Sequence, residues 1–315
     1  MHPIWYFVIG AGVIAAISLA IALICYVRIF YCKKRVIDKT GDVYIPSGRI
    51  YDPYREKIQS WVRMTRAMGS REYSITSEDG LTLRGYYYEY RKGAPLEILF
   101  HGYHGNAERD LSGGVDRCHR LGRNALIVDQ RACGASDGST TTFGVLESRD
   151  CLRWVDFAIS EFGENVELVL TGVSMGAATV MIAAGERLPK NVKYVLADCG
   201  YTSAKDIIKK VIRDMRLPAD ILYPFVTLGA RLFGGFALNS RSPIEAVGHA
   251  SVPIIFIHGD ADDFVPCEMS ERLYEACSSK KMLTKIEGAG HGIAFPANEE
   301  KYLEALREFS EEIGI

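Results

Sequence analysis

A short apolar run, a glycine-flanked serine and a helix-forming stretch follow one another between Leu168 and Thr179. The run Leu168–Leu170 has β-strand composition, and Gly172-Val173-Ser174-Met175-Gly176 then matches the pattern G-x-S-x-G. A serine at such a strand-to-helix turn has strained backbone and holds its hydroxyl group exposed above the edge of a sheet. Glycines two residues away on either side remove Cβ atoms that would collide in so tight a turn. The pattern indicates a nucleophilic serine, and an ordinary glycine-rich turn is the alternative.

Short apolar segments alternate with amphipathic segments over most of the chain after residue 95. The alternation is typical of an α/β fold with a mostly parallel central sheet and helices on both faces. The predicted strands are Glu97–Phe100, Ala125–Val128, Leu168–Leu170, Tyr194–Ala197, Ile254–Ile257 and Met282–Ile286. The predicted helices are Ala107–Leu121, Val145–Phe162, Ala177–Arg187, Glu268–Ser278 and Asn298–Ile313. A β-hairpin is predicted ahead of them over Tyr73–Tyr90, with its turn at Asp79-Gly80.

One segment, between the fourth and fifth of these strands, is too long for a simple crossover. Residues 203–246 are predicted to form an inserted helical cap of two or three short helices over the strand ends. Its second half is strongly apolar and is expected to line an acyl pocket, to touch lipid, or to pack on the domain below. The apolar residues concerned are Ile221, Leu222, Phe225, Val226, Leu228, Leu232, Phe233 and Phe236.

The N-terminal stretch Ile4–Val27 contains no formally charged residue. As a helix it would be about 36 Å long, which is enough to cross a bilayer with some tilt. Residues 1–35 are therefore predicted to be a transmembrane anchor with a basic flank. A cleaved signal peptide is the alternative, but no Lys or Arg precedes the apolar run.

Basic residues follow this stretch rather than precede it, at Arg28, Lys33, Lys34 and Arg35. The positive-inside rule then predicts a single-pass protein of the cell membrane with its main domain in the cytoplasm. The eight cysteines form no C-x-x-C pair and agree with a reducing compartment.

Residues 36–70 are predicted to be a connector with an amphipathic helix over Tyr54–Met68. This helix is expected to cover an edge of the following domain, residues 71–315, and a helix lying on the membrane is the alternative.

A serine nucleophile needs a histidine base, an acid that orients the base, and donors for the oxyanion. His291 lies in a glycine-flanked loop after the last predicted strand. The acid is expected after the preceding strand, where Asp260, Asp262 and Asp263 are candidates, and Asp198 is a further one. The backbone N–H of Met175 is one expected oxyanion donor, and a second is expected from the loop of residues 100–106.

Other chemistries are disfavoured by what the chain lacks. His101 and His104 have no partner ligands at metal-binding spacing, so neither a metal nor another cofactor is expected. A net charge of −2 gives no strongly basic surface, so nucleic acid is not an expected partner.

Five segments in this order carry a family resemblance: F-H-G-Y-H-G-N, D-Q-R-A-C-G-A-S-D-G, G-V-S-M-G, H-G-D-A-D-D-F-V-P and G-A-G-H-G. They resemble the serine α/β-hydrolase superfamily, and most of all its bacterial BAAT- and prolyl-oligopeptidase-like branch of carboxylesterases with a preceding transmembrane segment. The resemblance covers about residues 70–315. It implies the α/β-hydrolase fold, places the acid on Asp262 and places the second oxyanion donor on the N–H of Tyr103. Ala132 stands where the family commonly has glycine.

The sequence thus predicts a membrane-anchored serine hydrolase that cleaves a small acyl ester or lipid through Ser174, Asp262 and His291. The resemblance implies esterase, thioesterase or amidase activity without choosing among them. A peptidase of the prolyl-oligopeptidase type and a non-catalytic binding protein on a hydrolase fold are the alternatives.

Overall fold

The computed structural model describes residues 3–33 and 41–315, and these contain one eight-stranded sheet. The strand order is β1-β2-β4-β3-β5-β6-β7-β8. Strands β1 and β2 run antiparallel to their neighbours, and β3 to β8 are mutually parallel. The strands are β1 Arg71–Thr76, β2 Thr82–Tyr88, β3 Leu96–Phe100, β4 Asn124–Asp129, β5 Leu168–Val173, β6 Val192–Asp198, β7 Ile254–Gly259 and β8 Lys281–Ile286. The predicted fold class is confirmed.

Helices cover both faces of this sheet. The α-helices of the described residues are α1 Pro3–Ile29, α2 Arg55–Met68, α3 Ala107–Arg120, α4 Glu147–Phe162, α5 Met175–Ala184, α6 Ala204–Asp214, α7 Ala219–Leu232, α8 Pro243–Val247, α9 Glu268–Ala276, α10 Ala294–Ala297 and α11 Glu299–Ile313. Helices α4, α5, α8 and α9 bury their apolar sides on one face. Helices α2, α3, α10 and α11 cover the other face. The central strands are buried on both sides, which is why they read as unbroken apolar runs.

The connector helix α2 packs on helices α3 and α10 and so covers one side of the domain. Trp61 and Val62 are buried, and the Trp61 ring stacks on Phe295 with centroids 5.3 Å apart. Arg66 forms a two-pronged ion pair with Glu108 of α3, with both N···O distances 2.8 Å.

Helix α1 is apolar and long enough to cross a membrane over Tyr6–Ile29. Lys34 and Arg35 of the predicted basic flank, and residues 36–40 of the predicted connector, lie outside the described residues. The end of α1 joins the folded domain, because Phe30, the residue after the helix, is fully buried and its carbonyl accepts a hydrogen bond from the Thr141 N–H at 2.9 Å.

Between β6 and β7 the chain forms the three helices α6, α7 and α8. Helix α7 packs along α1 so closely that a Cβ atom at Gly229 would lie 2.4 Å from the Ala22 carbonyl oxygen. Of the apolar residues noted above, Val226 and Phe236 are buried in one cluster with Phe30. Ile221 and Leu232 remain exposed on the outer side of α7, at 66% and 54% of their surface.

Candidate active site

Ser174 occupies the sharp turn between β5 and α5. Its φ of +56° is a conformation that non-glycine residues rarely adopt, so the turn is strained. The surrounding backbone leaves no room for side chains: a Cβ at Gly172 would lie 2.0 Å from the Gly176 carbonyl carbon. A Cβ at Gly176 would lie 2.0 Å from the Phe100 carbonyl oxygen of β3. The two glycines of the motif therefore let α5 begin directly against the sheet.

The serine, histidine and aspartate that the sequence indicated lie together at the carboxyl ends of the parallel strands. His291 Nε2 is 2.9 Å from Ser174 Oγ, and His291 Nδ1 is 2.7 Å from Asp262 Oδ2. Such distances allow the imidazole to take the serine proton while the carboxylate orients the ring. Ser174 comes from β5, Asp262 follows β7 and His291 follows β8, so three separate loops meet at one point.

The Asp262 carboxylate is fixed by further hydrogen bonds. Its Oδ1 accepts the N–H groups of Phe264 and Val265 at 3.0 and 2.8 Å. The imidazole of His258 donates to its Oδ2 at 3.2 Å. Burial alone would raise the pKa of this carboxyl, but hydrogen bonds from His258 and His291 outweigh it and lower the pKa to about 2. Asp262 is therefore ionised at neutral pH.

The other aspartates considered have different surroundings. Asp260 accepts the Gly288 N–H at 2.7 Å and holds a surface turn, and Asp263 is exposed. Asp198 accepts the Tyr302 hydroxyl at 2.8 Å on one face of the sheet. His258 was missed as a partner of Asp262; its place four residues earlier, at the end of β7, was the available signal.

Both expected oxyanion donors are close to Ser174. Met175 is the first residue of α5, so its N–H faces the space before the helix. The loop of Tyr103 passes beside the serine, because a Cβ at Gly102 would lie 3.6 Å from Ser174 Cβ. The Tyr103 hydroxyl donates to the Ile29 carbonyl at 2.6 Å, which ties this loop to the end of α1.

A cleft of about 390 Å³ opens over Ser174, within the range usual for small-molecule sites. Its upper wall comes from the connector and includes Tyr51 and Trp61, whereas residues 203–246 do not line it. Ile50 packs on the histidine loop, since a Cβ at Gly290 would lie 2.6 Å from its Cγ2. Burial raises the pKa of Tyr51 to about 12. Of the alternatives left open for the inserted cap, lining of the acyl pocket is therefore not supported by this cleft, and sequence reasoning missed Tyr51 and Trp61.

The two histidines considered for metal binding have different surroundings. The His101 ring is held between the Gly102 carbonyl at 2.7 Å and the Gln130 N–H at 3.0 Å, and His104 stacks on Tyr103. Among the described residues, one group has potential ligand atoms within 4.8 Å of one another, namely Cys199, Asp262 and His291. Burial raises the pKa of the Cys199 thiol well above its usual range, which disfavours the thiolate that a metal needs.

The fold and this arrangement of side chains define a serine α/β-hydrolase. Residues 139–313, more than half of the chain, match the prolyl oligopeptidase family. The chain belongs to that family.

Two curated relatives extend over most of the chain. The Bacillus subtilis protein YqkD is 28% identical over 302 residues, which are 96% of this chain and 95% of that protein. The Escherichia coli protein YfhR is 25% identical over 257 residues, 80% of each chain.

Solved structures of esterases share the fold. The Pyrococcus furiosus esterase Pf2001 superposes with a TM-score of 0.65 at 22% identity and covers 90% of this chain and 98% of its own. Est1E from Butyrivibrio proteoclasticus, with ferulic acid bound, gives a TM-score of 0.57 at 22% identity and covers 76% of this chain and 98% of its own.

Proposed function

We propose that this protein is a membrane-anchored serine hydrolase that cleaves acyl esters through a covalent acyl-enzyme. The observation that carries the proposal is the chain of short contacts from Ser174 through His291 to Asp262 at the mouth of a cleft. The strained backbone of Ser174 supports the same role, because such strain is concentrated at functional sites.

The reaction follows from these positions. His291 takes the hydroxyl proton as Ser174 Oγ bonds to the acyl carbonyl carbon, and the negative carbonyl oxygen accepts the N–H groups of Tyr103 and Met175. The ester C–O bond then breaks, and His291 returns the proton to the departing alcohol. Water then attacks the acyl carbon while His291 takes one of its protons. The bond to Ser174 Oγ breaks, His291 returns the proton to Ser174, and the carboxylic acid leaves. Asp262, ionised throughout, keeps the imidazole in the required tautomer.

The first experiment is labelling of the full-length protein in detergent with a fluorophosphonate probe, which reacts with activated serines. We expect labelling of the wild type and none of Ser174→Ala, whereas the exposed Ser240→Ala should label like the wild type. A folded wild type that stays unlabelled would sink the proposal and favour a binding protein on a hydrolase fold.

A peptidase is the second candidate, and membership of the prolyl oligopeptidase family favours it. The two candidates differ in the bond cleaved, so the same acyl group should be offered as a p-nitrophenyl ester and as a p-nitroanilide. We expect hydrolysis of the ester alone. Faster turnover of the anilide would make the peptidase the better assignment.

Membrane attachment through α1 is part of the proposal. The apolar length of Tyr6–Ile29 supports a span, and the burial of Phe30 in the domain supports retention of the helix rather than its cleavage as a signal peptide. Arg28 stands in the last turn of this span and Lys33 follows it, so the positive-inside rule favours a cytoplasmic domain. Protease added to intact cells should spare this domain and digest it after lysis; digestion in intact cells would reverse the orientation.

A further inference from the structure

The inner end of the cleft over Ser174 contains two buried polar atoms without hydrogen-bond partners. Among the described residues, the Oδ1 atom of Asp198 and the Nε atom of Arg117 are both buried and unpaired. Both residues line the same cleft as Ser174, and they are only 4% and 3% exposed. Buried donors and acceptors are nearly always paired in folded proteins, so two at one place call for a ligand or an ordered water.

Tyr302 of α11 contacts both of these residues through its hydroxyl group. Its hydroxyl donates to Asp198 Oδ2 at 2.8 Å and lies 3.5 Å from Arg117 Nη1. The guanidinium also lies over the Tyr302 ring, 5.6 Å from the centroid. Glu97 holds the remaining guanidinium nitrogen of Arg117 in a buried ion pair. The unpaired Nε–H therefore has a fixed direction and cannot turn to find another acceptor.

The pairing of strands β5 and β6 places Asp198 close to the nucleophile. Asp198 of β6 pairs in register with Val173 of β5, so the two side chains share the face covered by α3 and α11. Val173 directly precedes Ser174, and Val173 and Thr171 both line the cleft. Leu99, Trp61 and Phe295 add apolar surface to the lining of the same cleft.

Of the two parts of an ester substrate, the acyl group is the one that we place at this end of the cleft. The leaving group must depart beside His291, which protonates it, and the His291 side chain is 14% exposed. The acyl group stays bonded to Ser174 until water releases it, so we place it along the cleft towards the buried Asp198 and Arg117.

A hydroxyl group offers what each unpaired atom lacks, since its oxygen can accept from the Arg117 Nε–H and its proton can be donated to Asp198 Oδ1. A terminal methyl group would satisfy neither atom. A carboxylate would be repelled by Asp198, and an ammonium group by Arg117. We propose that the inner end of the cleft, formed by Asp198, Arg117 and Tyr302, binds the hydroxyl group of a hydroxylated acyl chain. This inference rests on the proposed esterase function and names its substrate class.

The test uses the full-length protein and pairs of p-nitrophenyl esters of linear acids. Within each pair the acyl chains match, except that one carries a hydroxyl group where the other carries a methyl group. The hydroxyl position moves one carbon at a time along the chain. We expect kcat/KM to favour the hydroxylated ester at least tenfold at one or two positions, since a site built for a hydroxyl rejects analogues that lack it.

Asp198→Leu removes the hydrogen-bond acceptor and replaces it with an apolar side chain. The preference in kcat/KM should therefore fall below twofold or reverse in favour of the ester whose acyl chain carries the methyl group. Asp198→Asn preserves shape and hydrogen bonding and should retain part of the preference, which keeps the test open if Asp198→Leu does not fold by circular dichroism. A purely structural role would lower kcat/KM for both members of a pair alike and leave their ratio unchanged.

A wild type that hydrolyses these esters with no hydroxyl preference at any position would overturn the inference, and ordered water would then be the partner of the two atoms. A preference that stays at the wild-type level in Asp198→Leu would overturn it as well; if Asp198→Leu does not fold, an undiminished preference in Asp198→Asn would do so. A wild type that hydrolyses none of the esters and is not labelled by the fluorophosphonate would instead refute the proposed function, so the two failures are distinct.

Discussion

Replacement of Gly176 by alanine should be among the most damaging small changes in this chain. The added Cβ would lie 2.0 Å from the Phe100 carbonyl oxygen and 2.8 Å from that of His101, more than about 1 Å inside ordinary contact with the nearer atom. Both partners are backbone, one in a central strand and one in the loop after it, so no side-chain rotation relieves the overlap.

The magnitude follows from two opposing effects. Overpacking that side chains can absorb costs about 1–3 kcal/mol, and a clash with backbone should exceed about 3 kcal/mol. Exchange of glycine for alanine within a helix returns about 1 kcal/mol through helix propensity. We therefore expect Gly176→Ala to lower the free energy of unfolding by at least about 2 kcal/mol and to move Ser174, because α5 must shift away from β3.

Gly114→Ala is the matched control for this prediction. It is also a helical glycine with a nominal close approach, 2.5 Å, but to the Cδ2 tip of Leu99, which can rotate away. Urea unfolding of the full-length protein in detergent should show a clearly smaller loss for Gly114→Ala than for Gly176→Ala. Fluorophosphonate labelling should fall in Gly176→Ala. Wild-type stability and labelling in Gly176→Ala would show that α5 does not sit directly against β3.

Three further outcomes are expected. Phe30→Ala should lower the free energy of unfolding of the domain by about 3–5 kcal/mol, because Phe30 is fully buried. Ile14→Ala, on the exposed side of α1, should leave it unchanged. Equal effects of the two substitutions would contradict the packing of the end of α1 on the domain. Asp262→Asn should cost about 2 kcal/mol at neutral pH, since the pKa of Asp262 is lowered from 3.8 to about 2. This stabilisation is present above about pH 4 and is lost as the pH falls through about 2, so urea unfolding of the two proteins should converge there; a constant gap would refute it. Glu97→Gln should cost about 3–5 kcal/mol in the same assay, because it leaves the buried Arg117 without its counter-charge, and a loss below about 1 kcal/mol would contradict this.

Much of this molecule could be predicted from local sequence. The parallel strands are buried on both faces and therefore read as apolar runs, and Ser174 and His291 stand out because glycines flank them. The spacing left three aspartates open after β7, and the family pattern favoured Asp262 among them.

What the sequence did not reveal depends on contacts between distant segments. The connector forms a wall of the cleft because Ile50 meets Gly290 and Trp61 meets Phe295, and no periodicity encodes such pairs. The unpaired atoms of Asp198 and Arg117 likewise come together only through a third residue on the last helix. An apolar helix also has the same composition whether it faces lipid or a protein core, so the burial of Phe30 was not predictable.

The seating of Phe30 decides where this chain can be cut to make a fragment for crystallisation. Its ring meets Phe143 and Phe236 edge to face, with centroids 5.8 and 5.3 Å apart. A fragment that lacks everything before residue 36 would expose to water the apolar surface that Phe30 covers, and exposed apolar surface promotes aggregation. A fragment that begins at Tyr26 lacks most of the apolar helix, yet it retains Phe30 and the hydrogen bond between the Tyr26 and Thr140 hydroxyl groups. The shortest workable enzyme therefore starts inside the apolar helix, not after it.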